Sequence, residues 1–162
     1  YCPGSISLKS IQRMDISDFR DDFRINVEGA FNIIKKVLPN LKKGDGASVV
    51  FISSVAAKSG MTFHSSIAAS KAALEGFARS LASELAPRVA VNCVAPSLTN
   101  TPMAEHLLNN EKKFQSSEER HPLNAIGDPE KIAKVIYNLF SAKEDWITGQ
   151  TISIDGGLSS LR

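Results

Sequence analysis

The chain has 162 residues, 43 % of them hydrophobic and 22 % charged, with a formal net charge of +2. That is enough for one domain with a sizeable core, or for part of one, and too little for two ordinary domains. The near-neutral charge, with basic residues set among acids as in Lys42-Lys43 beside Asp45 or Glu111-Lys112-Lys113, argues against nucleic-acid and acidic-membrane partners.

At the start, Tyr1-Cys2-Pro3-Gly4 reads as a strand end running into a turn, because proline removes a backbone donor and glycine permits positive φ. A helix is expected from Ser17 or Asp18, since Phe19, Phe23, Val27, Ala30, Phe31, Ile34, Leu38 and Leu41 recur every three or four residues on one face. Ser17 is placed to cap it and Asp18 to favour its dipole, and Lys42-Lys43-Gly44-Asp45-Gly46 ends it. Ser48-Val49-Val50-Phe51-Ile52-Ser53 is a short apolar run between turn formers, as expected of a strand covered on both faces, with Ser54 at its C-terminal end. An alanine-rich helix follows from Ser65 or Ser66 to the region of Ala86, where Pro87 stops it.

Arg88 to Ala95 reads as the next buried strand. Pro96 to Leu123 is long and polar, holds Pro102 and Pro122, and contains short helical patches such as Met103–Leu108; segments of this kind tend to be lids or binding loops. Asp128-Pro129-Glu130 opens a helix through Ser141, with proline at its favoured first position. Gln150–Ile154 is a strand ending at Asp155-Gly156-Gly157.

Strands alternating with helices predict an α/β, doubly wound parallel sheet, which binds ligands outside the carboxyl ends of its strands. Ser54, Pro96 and Asp155 all fall at such ends. Cys93 lies inside an apolar run, so a buried free thiol is expected rather than a disulfide or a metal site. With no signal-peptide pattern and no apolar run near ~18 residues, the expected location is cytoplasmic, with no membrane partner.

Three polar residues mark a candidate site. Asn26 opens an Asn-Val-Glu-Gly sequence in mid-helix, Ser54 follows a strand, and Lys71 sits among Ala68, Ala69, Ala72 and Ala73, which shield it little. Taken singly, each has an ordinary reading: a capping asparagine, a turn serine, a solvated lysine. Their order and spacing carry more, because Ser54 precedes Ile67 by 13 positions and Lys71 follows Ile67 by four, one helical turn on the same face. Together with Asn92-Cys93-Val94-Ala95-Pro96-Ser97, Thr99, Thr101-Pro102-Met103, His121-Pro122-Leu123, Gly127-Asp128-Pro129-Glu130 and Ile147–Gly157, the chain resembles the C-terminal portion of the short-chain dehydrogenase/reductase family over nearly its whole length.

The resemblance implies a Rossmann-like fold, NAD or NADP as cofactor, a small-molecule substrate, and a homodimer or homotetramer formed through the predicted helices Asp18–Leu41 and Ser65–Ala86. It makes Asn26 the residue that holds a proton-relay water, Ser54 the one that orients substrate, and Lys71 the one that binds the cofactor ribose. Pro96 and Thr99 fall in the stretch that contacts the nicotinamide. In such proteins the lysine also lowers the pKa of a tyrosine one turn before it. Here that position is Ile67, whose side chain neither donates nor accepts a proton. Enoyl reductases of the family place the tyrosine seven before the lysine, where this chain has His64, an imidazole able to carry a proton near neutral pH. Ser97 for a glycine and Cys2-Pro3-Gly4 for Asn-Ala-Gly are further departures.

The family's glycine-rich pyrophosphate turn has no counterpart among the ten glycines. Residues 1–162 are thus expected to be the C-terminal part of one domain, lacking its first three strands. Either an N-terminal portion of roughly 80 to 90 residues lies outside this sequence, or a fragment is stabilised by oligomerisation. Two functional readings follow: an NAD(P)-dependent oxidoreductase impaired for carbonyl reduction, or a non-catalytic member acting as a nucleotide-binding or structural subunit.

Overall fold

The apolar runs become β1 (Ala47–Ile52) and β2 (Val89–Pro96), joined by the shorter β3 (Thr151–Ile154) in a parallel sheet of order β1-β2-β3 in a computed structural model that describes residues 1–44, 46–141 and 146–161. Asp45, expected beside Lys42-Lys43 in the helix-ending cluster, lies outside the described residues. Register pairs Phe51 with Cys93 and Ile52 with Val94, and Cys93 in turn with Thr151. Both faces of the sheet are covered, which is why these strands are apolar at consecutive positions. Val49, Phe51, Val91 and Cys93 pack with Leu74, Ala78, Leu81 and Ala82 of α3 (Ser65–Leu85). Val50 and Val94 face the other way, against Ile132 of α6 (Pro129–Ser141).

The first expected helix is real but not continuous. It consists of α1 (Ile16–Phe23), a π turn over Arg24–Glu28, and α2 (Gly29–Leu41). Its N-cap is Asp15 rather than Ser17, and the Asp15 amide donates to the Asp18 carboxylate at 3.1 Å. An aspartate one turn before its partner closes the turn that serine would have capped. The π turn also shifts the buried stripe onto Asp22, Asn26, Ala30 and Ile34, leaving Phe31 exposed although spacing put it on the buried face. Those residues recur at every fourth position, as a widened turn requires.

The backbone of Tyr1 lies along the outer side of β1: its amino group donates to Val50 O at 2.8 Å and the Ile52 amide to Tyr1 O at 3.2 Å. Its ring crosses the π turn, where Tyr1 Oη donates to Ile25 O at 2.6 Å. Gly29 makes room for it, because a Cβ there would stand 2.2 Å from Tyr1 Oη. After β2 the long segment holds more helix than expected: α4 (Glu105–Leu108) and α5 (Glu111–Glu119). Asn110 caps α5 by accepting from the Lys113 amide at 2.9 Å. No described helix is long and apolar enough to cross a membrane.

Candidate functional site

The carboxyl ends of β1 and β2 and the first turns of α3 meet around Lys71. An ammonium on the sheet-facing side of an alanine-rich helix has few bulky neighbours to displace, and Lys71 is 5 % exposed. Its Nζ donates to Ile52 O at 2.7 Å, at the end of β1. Burial pulls its pKa down to about 8, against the opposing pull of Cys93, Asp22 and Cys2. The Cys93 thiol is itself pushed up to about 12, chiefly by burial.

Asn26 arrives from the other side. The π turn directs it at α3, where its Nδ2 donates to Ser70 Oγ at 3.1 Å, and Ser70 Oγ in turn donates to Ile67 O at 3.1 Å. Asn26 is fully buried, and its Oδ1 has no hydrogen-bond partner among the described residues. A Cβ built on Gly4 would lie 3.6 Å from that oxygen and 3.5 Å from Lys71 Nζ. Asn26 and Lys71 therefore border one small space over Gly4, and the glycine keeps it open.

Ser54 lies two residues past β1 and caps the short helix Val55–Ala57, its Oγ accepting from the Ala56 amide at 3.2 Å. This hydroxyl faces a cleft of about 330 Å³ whose walls include His64, Ile67, Ser97, Leu107 and Arg120. Ile67 thus borders the cleft at the position that the resemblance assigns to a proton-donating tyrosine, and it brings only hydrocarbon. The Nδ1 of His64 lies 2.7 Å from Thr62 O. Pro96 closes β2; beyond it Thr99 donates to Ser97 O at 3.0 Å and pairs with Gly127 in a parallel bridge. Asn26, Ser54 and Lys71 are thus gathered at one end of the sheet, with Pro96 at the end of the neighbouring strand and Thr99 just beyond it. A larger groove of about 470 Å³ opens at the opposite end, near the starts of β1 and β2, with Arg88 as its one charged side chain among the described residues.

Sequence reading passed over His121. It is buried, its Nδ1 lies 2.7 Å from Ser117 O and its Nε2 lies 2.9 Å from Ser97 Oγ. The available signal was the pairing of an unusual serine after Pro96 with an imidazole ahead of Pro122. At the end of β3, Asp155 accepts from the Gly157 amide at 2.9 Å and from the Ser159 amide and hydroxyl. Burial alone would raise its pKa, and these bonds outweigh it, so the carboxyl sits below its usual range. Among the described residues no group of three or more His, Cys, Asp or Glu side chains is placed to hold a metal ion.

The family described as Enoyl-(Acyl carrier protein) reductase matches residues 4–159. The chain is 40 % identical over 147 residues to the 3-oxoacyl-(acyl-carrier-protein) reductase FabG of Thermotoga maritima, an alignment covering 90 % of this chain and 59 % of that protein. Among solved structures, it is similar to the ligand-free aldohexose dehydrogenase of Thermoplasma acidophilum, with a TM-score of 0.89, 32 % identity, and coverage of 97 % of this chain and 65 % of that one. It is also similar to the RhlG/NADP active-site complex of Pseudomonas aeruginosa, with a TM-score of 0.89, 29 % identity, and coverage of 98 % and 64 %. The chain spans 59 to 65 % of the length of these three relatives.

Proposed function

Since this chain belongs to the short-chain dehydrogenase/reductase family, we propose that it forms the nicotinamide-and-substrate portion of an NAD(P)-dependent oxidoreductase in which the tyrosine route for proton transfer is closed. The observation that carries the reading is the Lys71–Asn26 pair over Gly4, intact beside an isoleucine at position 67. Lys71 spends one hydrogen on Ile52 O and keeps two for other acceptors, and Asn26 Oδ1 is an unpartnered buried acceptor next to it. A ribose hydroxyl pair suits that combination. Lys71 would hold the ribose, with Pro96 and Thr99 beside the nicotinamide. When bound, the cofactor supplies or accepts a hydride.

The protein's own residues divide the remaining work. Ser54 accepts from Ala56, so its hydroxyl hydrogen is left to orient a substrate oxygen. Leu98 and Leu107 line the cleft and exclude water, while Lys113 and Arg120 place positive charge on its wall and favour an anionic substrate. Ile67 supplies neither an acid nor a base, and general acid–base help is typically worth about 10²–10⁴-fold. Carbonyl turnover should therefore be slow.

Ile67 also favours a second reading, a nucleotide-binding subunit without catalysis of its own. One experiment separates them. The full-length protein and its Ile67→Tyr variant are assayed against a panel of ketones with NADH and NADPH. Slow wild-type turnover that rises at least about tenfold in the variant supports the oxidoreductase with a closed tyrosine route. No wild-type turnover with intact nucleotide binding supports the non-catalytic subunit, and no binding of either nucleotide removes both readings.

A further inference from the structure

Ser97 stands on the wall of the same cleft as Ile67, with His121 buried behind it, and the reading above gives the two no task. Ser97 follows Pro96 at the end of β2, and His121 lies just beyond α5. His121 is 2 % exposed with both ring nitrogens engaged, Nδ1 at 2.7 Å from Ser117 O and Nε2 at 2.9 Å from Ser97 Oγ. A carbonyl oxygen only accepts, so Nδ1 carries the hydrogen. In the neutral ring Nε2 is then the acceptor, and the Ser97 hydroxyl donates to it. An oxygen on a ligand cleft, a base within hydrogen-bond reach of it, and a third group fixing the base together make an activated hydroxyl. Asp155 lies near enough to His121 to interact with it electrostatically. His64, the imidazole that lines this cleft, is half-buried, with Nδ1 2.7 Å from Thr62 O and no hydroxyl bonded to it among the described residues.

We propose that Ser97 Oγ is the hydroxyl that exchanges a proton with the substrate oxygen in this cleft, with His121 behind it as the proton store, the task that Ile67 cannot perform. The proposal rests on the oxidoreductase reading. With a secondary alcohol as substrate, its hydroxyl proton passes to Ser97 Oγ while the Ser97 proton passes to His121 Nε2. The imidazolium so formed still donates through Nδ1 to Ser117 O. The two electrons of the substrate C–H bond leave with its hydrogen as hydride to oxidised nicotinamide nucleotide, and the C–O bond becomes a carbonyl. Reduction reverses each transfer and begins from the imidazolium.

The test uses the full-length protein and its Ser97→Ala, Ser97→Thr and His121→Gln variants, assayed with ketones and secondary alcohols and both nicotinamide nucleotides. Ser97→Ala and His121→Gln should lower kcat by about 10²-fold or more, with KM and nucleotide affinity within about threefold of wild type. Ser97→Thr keeps the hydroxyl and should retain turnover. Since His121 is buried, unchanged nucleotide binding serves as the folding check for its variant. A Ser97→Ala kcat within about threefold of wild type overturns the proposal.

A readout independent of turnover is a small dialkyl phosphonofluoridate, with which Ser97 Oγ would form an O–P bond as the P–F bond breaks, fluoride leaving and the proton passing to His121. Peptide mass mapping should find the adduct on Ser97 in wild type and not in His121→Gln. If wild type shows no turnover the oxidoreductase reading fails, and the adduct alone decides. Its presence upholds the activated pair, and an unmodified Ser97 overturns it.

Discussion

Lys71 carries an energetic cost that its surroundings reveal. Burial holds its pKa at about 8, against 10.5 for an exposed lysine. Below pH 8 the folded chain must keep a buried ammonium, and the cost is present in full. Between pH 8 and 10.5 the folded chain has released the proton while the unfolded chain still binds it, so stability rises with pH; above 10.5 neither state changes. The rise is on the order of 3 kcal/mol from a displacement of this size. In urea unfolding, wild type should gain on Lys71→Met by that amount between pH 8 and 10.5, and a difference flat across the window would contradict the burial argument. Retention of a charge this costly fits a lysine kept to bind a ligand, because its one bond to Ile52 O offsets only part of the loss.

Elements place these side chains with unequal dependence on local sequence. The strands and α3 were legible because runs such as Val49-Val50-Phe51 and the serine-to-proline span of Ser65–Pro87 are local signals, and the observed bounds fall within a residue or two of those expected. The candidate residues were legible through spacing, since a strand end and a helical turn fix where Ser54 and Lys71 stand. The π turn was not legible, because an inserted turn leaves no composition mark; it buries Asp22 and Asn26 through tertiary contact with α3. The bond from His121 to Ser97 spans 24 positions, and no periodicity reports a contact of that range. The bridge between Thr99 and Gly127 is a similar case. A Cβ on Gly127 would stand 2.6 Å from Thr99 Oγ1 and 3.2 Å from Leu98 O. Gly127→Ala should therefore destabilise by about 1–3 kcal/mol and displace Thr99, seen as a lower melting temperature together with weaker nucleotide binding. An unchanged melting temperature would mean that the bridge yields freely.

Across the whole molecule, chemistry is concentrated at one end. Ser54, Lys71, Ser97 and Thr99 stand past or beside the carboxyl ends of β1 and β2, where a doubly wound sheet receives its ligands, while the groove at the other end holds a single charge among the described residues. The family is carried by nearly the full chain, residues 4–159, although the chain spans only 59 to 65 % of the relatives compared with it. The central claim is that the nucleotide-holding pair of this site persists although its tyrosine does not. It is tested most directly by fluorescence titration of the full-length protein with NADH and NADPH, alongside its Lys71→Met and Ile67→Tyr variants. The account predicts saturable binding of at least one nucleotide, weakened about tenfold or more in Lys71→Met through loss of a charged hydrogen-bond donor, and changed by no more than about twofold in Ile67→Tyr. Absence of binding, or equal affinity in Lys71→Met and wild type, would contradict it.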